Sequence, residues 1–338
     1  MVCMAGELRS PLQGGLPPVD TAAGAIVEIA CDESGFSGTN LLDPATPLIA
    51  HASVDLYADE AAGLIAQLRS GSRFSPQELK SGRFLRGRHA GQALERFLAA
   101  LRGRAHVHLV DKELFLVTRI VDMFLAEPSY AAGTRLTLDH RPAALTLYRA
   151  RHIAGGDWGA FLAAFVALVR STRRHRPDPR GVECFLHARD ALVRHGLGAQ
   201  AEAVLNRLAT ARVRAVLTRL SNGDRSIPPP LEPMLPALAE TILFWSDRRR
   251  RVLVIHDEQS ALTAGRLRRL QQALADSAES SPAGVSPLAG LVMVDSRDDP
   301  RVQVADLLAG VARRSSGIID DGPLQPLLSP TSLRDLDR

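Results

Sequence analysis

Four aspartates stand where a sheet protein can do chemistry with them. Asp32, Asp111 and Asp257 each follow an apolar run that reads as a β-strand, and Asp306 lies in Val302-Gln-Val-Ala-Asp306-Leu-Leu-Ala-Gly310. In open α/β sheets ligands gather beyond the strand carboxyl ends, so acids there can converge. One such aspartate means little, because the residue commonly stops strands and caps helices. Three of them, joined by an acid inside an apolar helical pattern, carry more weight. A charge among Val304, Ala305, Leu307 and Leu308 is costly to bury unless it is paired or binds a cation. Gln303 falls three residues before Asp306 and Gly310 four after, so the three share one helix face and Gln303 can orient the carboxylate. The competing account is a surface stripe ending at Arg313. Glu78, in Glu78-Leu79-Lys80, reads in isolation as a solvated helix end.

Carboxylates aimed at one point repel each other, and the cluster is stable only with a cation or with some acids protonated. Mg²⁺ or Mn²⁺ suits an all-oxygen donor set, and no histidine or cysteine set competes for the ion. A pair of such ions about 3.5–4 Å apart activates water and stabilises the departing oxygen of a phosphodiester. Other chemistries find less support. Ser34 sits in Asp32-Glu33-Ser34-Gly35 rather than GxSxG, and the thiolate of Cys31 is disfavoured by the neighbouring acids. Cys3, Cys31 and Cys184 are far apart with no CxxC spacing, which supports neither zinc nor a disulfide framework. No GxxxxGK[ST] or GxGxxG stretch occurs. His106, His108 and His256 lie on strands and read as core or edge packing.

The elements that must position these acids follow from apolar periodicity. Residues 1–23 hold Pro11, Pro17, Pro18, Gly14 and Gly15 without a pattern and read as a loose tail. Ala25 to Ala30 reads as a buried strand stopped by Asp32-Glu-Ser-Gly35, and Leu48 to Leu56 as its antiparallel partner. Residues 58–69 form an amphipathic helix with Ala62, Ile65, Ala66 and Leu68 expected inside. A second helix covers about 88–102, and His106 to Val110 is a third strand. From about 113 to 247 apolar residues recur every three or four positions (Leu114, Val117, Val121, Phe124; then Phe161, Phe165, Leu168), which reads as a helical insertion broken at Pro228-Pro229-Pro230. Strands return at 251–256 and 288–294 around a helix at 261–275. Asp299-Pro300 then offers an N-cap and an N1 proline for a helix over about 300–314. The sum is an α/β fold: a mixed β-sheet flanked by helices, its core split into 24–112 and 248–315 by the insertion 113–247, with 316–338 irregular.

The order of Asp32-Glu33-Ser34-Gly35, Glu78-Leu79-Lys80, Val110-Asp111-Lys112, Asp257, Asp295-Ser296 and Gln303-Val-Ala-Asp306 resembles the bacterial and phage family named domain of unknown function 3800, grouped with the ribonuclease H-like superfamily. The likeness covers about 25–111 and 250–315 and leaves the central helices unmatched. It implies a ribonuclease H-like mixed sheet and a metal-dependent nuclease. Asp32 would be the first-strand acid, Glu78 the next and Asp306 the acid of the last helix, with Asp257 as the late-strand acid in competition with Asp111. Asp32, Asp257 and Asp306 would ligate Mg²⁺ or Mn²⁺, with Glu33, Lys80, Asp111 and Gln303 in support and Lys80 near a phosphate. The other class is a non-catalytic nucleic-acid- or protein-binding module of a mobile-element or phage-defence system, its helical insertion docking a protein partner.

Charge and hydropathy are compatible with both. A net charge of +4 tolerates nucleic acid without demanding it, and the runs Arg173-Arg174-His175-Arg176 and Arg248 to Arg251 are placed to track a phosphate backbone or to sit in solvent. No stretch approaches the roughly 20 apolar residues that cross a bilayer, and the first residues lack a signal-peptide pattern. A reduced, cytoplasmic location is the default expectation.

Overall fold

The computed structural model describes residues 15–18, 25–36, 38, 40–70, 81–86, 90–134, 140–172, 179–247, 249–276, 285–315 and 322–335. Five strands form one sheet: β1 Ile26–Ser34, β2 Leu48–Val54, β3 Ala105–Asp111, β4 Arg251–Asp257 and β5 Leu288–Val294. Helices α1 Ala58–Ser70, α2 Ser81–Phe84 and α3 Ala90–Ala100 separate β2 from β3. Between β3 and β4 run α4 Lys112–Phe124, α5 Tyr130–Thr134, α6 Arg141–Arg149, α7 Arg151–Ala154, α8 Gly156–Thr172, α9 Pro179–Arg194, α10 Ala199–Asn206, α11 Thr210–Ser221 and α12 Met234–Ser246. Helix α13 Ala264–Asp276 links β4 to β5, and α14 Pro300–Ser315 follows β5.

The sheet order is β3-β2-β1-β4-β5. β2 runs antiparallel to both β1 and β3, whereas β4 is parallel to β1 and β5 to β4. Four strands therefore point their carboxyl ends at one rim. The chain is an α/β protein with a mixed five-stranded sheet flanked by helices, as its apolar periodicity implies. One boundary differs. β1 does not stop at Asp32 but continues through Glu33 and Ser34, pairing them with Ala52, His51 and Ala50. An antiparallel neighbour satisfies that backbone, and the ladder overrides the poor strand preference of the acids. The turn comes at Gly35, with φ of 92°. A Cβ there would lie 2.3 Å from the Leu48 carbonyl oxygen and 2.5 Å from Arg313 Cδ, so only glycine fits.

Alternation along the strands sorts the core into two layers. Val27, Ile29, Cys31, Ile49, Val110, Val252 and Val254 pack toward the helical block 112–246. In that block Phe124, Phe161, Phe165 and Phe185 form an aromatic knot. Ala30, Ala50, Ala52, Val54, Val107, Leu109 and Ile255 pack toward α1, α3 and α14. The small side chains of Ala30, Ala50 and Ala52 let α14 lie close across β1 and β2. On α1, Ala61, Ile65 and Leu68 are buried, but Ala62 and Ala66 are exposed rather than inside.

Described segments on both flanks of the core reach the sheet. Within the stretch read as a loose tail, Leu16 exchanges two backbone hydrogen bonds with Leu291 of β5, at 2.8 and 2.7 Å. The segment after α14, expected to be irregular, pairs with the outer side of β3 at Leu328 and Leu333. Among the described residues no helix is long and apolar enough to cross a membrane.

Candidate acidic site

The parallel register of β1 and β4 pairs Cys31 with His256, so the next residues, Asp32 and Asp257, stand side by side on neighbouring strands. They share the face of Ala30 and Ile255, the face that α14 covers. A Cβ on Gly310 would approach Ser81 of α2 and lie 3.9 Å from Ser34 Oγ. That puts the helix face shared by Asp306 and Gly310 over the end of β1. Three acids remote in the chain come within range of one another's charge this way.

Asp32 is the most enclosed of them, 5% exposed. Its Oδ1 accepts the backbone N–H of Glu33 at 2.6 Å. Burial raises its carboxyl well above the usual aspartate range, and the charges of Glu33, Asp306 and Asp257 raise it further, against that one stabilising N–H. Asp257 is steadied from β5's exit loop, where Ser296 N donates to its Oδ1 at 3.0 Å. Glu33 points to the opposite face. Gln259 donates to its Oε1, its Oε2 is buried without a hydrogen-bond partner, and burial first, then Asp257 and Glu232, push it up to about 7.

Arg313 Nε donates to Ser34 Oγ at 2.9 Å, so the stripe Asp306, Gly310, Arg313 faces the sheet and not solvent. Gln303 Oε1 accepts from Arg69 Nη2 at 3.5 Å, which turns its amide oxygen toward α1. Asp111 is committed elsewhere. It caps α4 by accepting Leu114 N at 2.9 Å and takes the Tyr148 hydroxyl at 2.6 Å. β2 lies between β3 and β1, a separation of about 10 Å, and the charges that raise Asp32 do not include Asp111. Of the two competitors, Asp257 joins the cluster and Asp111 holds a helix.

Glu78 and Lys80 lie outside the described residues, as do Arg173 to Arg176 and Arg248. Arg249 and Arg250 are exposed at the amino end of β4. The strand's rise puts them about 20 Å from Asp257, on the far rim, which removes them from any ligand held by the acids. Gln259 and Arg69 were not singled out by sequence, and Ser34 was weighed only as a nucleophile. Arg313 was visible only as the end of a stripe, and Gln259 had one weak signal, its place two residues beyond Asp257.

Four histidines occupy the other face of the sheet under α12. His256 Nδ1 lies 2.9 Å from the Asp257 carbonyl oxygen, which only accepts, so His256 donates there. Its Nε2 then accepts from His51 Nε2 at 3.3 Å, and His51 Nδ1 accepts from the Thr241 hydroxyl at 3.0 Å. This relay requires both rings neutral. His106 stacks on Phe244 with centroids 4.0 Å apart. The ring nitrogens of His106 and His108 are buried without hydrogen-bond partners. They pack as core, as the sequence suggested.

Among the described residues no three His, Cys, Asp or Glu side chains are gathered closely enough to hold one metal ion. Asp32, Asp257 and Asp306 are near enough for charge to act on Asp32, but they do not close a ligand ring in this conformation. The donor set itself fits a hard cation: all oxygen, mutually repelling and half or fully buried. No family model, curated protein or solved structure matches this chain.

Proposed function

We propose that the protein is a metal-dependent nuclease with a ribonuclease H-like core and a helical insertion, in which Asp32, Asp257 and Asp306 hold Mg²⁺ or Mn²⁺. The observation that carries the reading is the convergence of these acids from β1, β4 and α14 on one sheet face. Burial first, and then the charges of Glu33, Asp306 and Asp257, disfavour the ionised form of Asp32 there, and a divalent cation would offset both. The fold part draws support from an antiparallel meander of three strands followed by two parallel strands beside β1. When bound, the cation would polarise a phosphodiester and acidify a water. The chain's own residues have narrower tasks. Ser296 N fixes Asp257, the Glu33 N–H fixes Asp32, and the Arg313–Ser34 contact anchors α14 to the end of β1. Glu78 is the further acid that the family likeness implies. Nucleic acid is the substrate class, and the helical block 112–246 is the surface for a protein partner.

The test is thermal and then enzymatic. Mn²⁺ at about a hundred times its Kd stabilises by about 2.7 kcal/mol, which for a chain of this length is a rise in Tm of about 4 °C. Asp32→Asn with Asp306→Asn should abolish that rise. Cleavage is then scored on single- and double-stranded DNA, RNA and hybrids. The open ligand ring favours the second reading, a non-catalytic binding module. A protein that gains no stability from either metal and cuts no substrate would establish that reading and end the first.

A further inference from the structure

A cleft of about 570 Å³ opens between α1 and the start of α14, lined by Ala62, Ile65, Ala66, Arg69, Arg297, Pro300 and Gln303. It abuts the acidic site at two points. Ser296, which holds Asp257, is followed directly by Arg297, and Gln303 is one helical turn from Asp306. Its apolar lining is Ala62, Ile65, Ala66 and Pro300, and its polar lining is Arg69, Arg297 and Gln303. Arg69 reaches Gln303 at 3.5 Å, a long contact, and its Nε is shielded from water without a hydrogen-bond partner. The terminal nitrogens, held among the described residues only by that long contact, are the donors the cleft can use. Arg297 is steered by Asp295 (Nε 2.9 Å, Nη2 2.6 Å) yet stays 58% exposed at its side chain. The adjacent Arg301 is spent on Asp299 and Glu28. The first amides of α14 are taken by Asp299, so the hollow's donors are two guanidinium groups and the Gln303 amide, a set that suits an oxyanion.

We propose that this cleft seats a backbone phosphate of a nucleic-acid strand, next to the phosphate that lies at the acids. The proposal rests on the nuclease reading for its choice of ligand, since a strand crossing the acids along α14 carries its neighbouring phosphate toward Arg69 and Arg297. Arg69 supplies the main charge, Gln303 sets the guanidinium's orientation, and Arg297 closes the outer side.

Binding is measured by anisotropy with short fluorescein-labelled oligonucleotides (single-stranded DNA, single-stranded RNA and hybrid duplex) in EDTA, where metal-dependent cutting cannot occur. Arg69→Ala should weaken the best-bound strand about fivefold to tenfold and lower the salt slope by about 0.7. Ala66→Glu, on an exposed position of the cleft floor, should weaken it at least as much while melting near the parent temperature. The proposal is overturned if both variants bind like the parent, or if the parent binds none of the strands. It is also overturned if inorganic phosphate alone gives an Arg69-dependent rise in Tm while strand binding ignores Arg69, for then the cleft takes a free anion. Cutting is scored separately with Mn²⁺: a protein that binds through Arg69 but never cuts retires the nuclease reading and keeps the cleft.

Discussion

Replacing His106 by Phe and His108 by Leu should make the protein more stable, and far more so in acid. Both rings are enclosed, 2% and 1% exposed. Burial, with His108 beside His106 and Arg141 beside His108, lowers each to about 3 from an ordinary value near 6.5. The groups facing this pair are His51 on β2, Arg141 on α6, and Phe244 and Glu240 on α12, the last acting on Arg141. Because the folded state holds these rings neutral, their contribution is intact above about pH 6.5 and is lost as pH falls toward 3. At pH 5 the unfolded chain gains about 1.5 units of proton affinity per ring, or about 2 kcal/mol each and about 4 for the pair. His256 acts alike in parent and variant and cancels in the comparison, whereas His51 loses the depressing influence of His106 and His108 in the variant, which adds to the gain in acid. Near neutral pH the variant should gain about 1 kcal/mol or more, because four unpartnered nitrogens disappear. Urea unfolding at pH 7.5 and at pH 5 measures both. Equal losses on acidification would refute the claim that these rings are buried neutral.

Two further outcomes test the placement of the acids. Asp111→Ala should cost about 0.5–2 kcal/mol through loss of the cap on α4 while leaving the Mn²⁺-induced rise in Tm intact; loss of that rise in thermal melts would return Asp111 to the site. Gly310→Ala should destabilise by about 1–3 kcal/mol, because its Cβ would stand 2.5 Å from Ser81 Cβ. Adding Ser81→Gly should recover most of that loss in urea unfolding.

Strand and helix positions were legible in the chain because apolar spacing is local. Val252 and Val254 alternate with Leu253 and Ile255 as a two-sided strand must, and Pro300 begins α14 where its fixed φ suits. What the chain could not reveal is set by neighbours. Asp111 and Asp257 both end strands, and only the order β3-β2-β1-β4-β5 separates them by giving Asp257 the place beside Asp32. Asp32-Glu33-Ser34 reads as a strand stop until β2 supplies a ladder for it. The exposed Ala62 and Ala66 looked like core because alanine carries little information about which side of a helix faces in. The pairing of Leu16 and Leu333 with the sheet was hidden because each involves single residues rather than a period.

The segment Leu328–Leu333 has a bearing on how this molecule meets others. Ser329 N and Leu333 N donate to Val107 and Leu109, and Leu333 O takes Asp111 N, so the outermost strand's main-chain groups are already spoken for. A guest peptide has no vacant ladder to extend along Val107 to Asp111. A chain cut before Ser329 would bare that ladder and should stick to copies of itself.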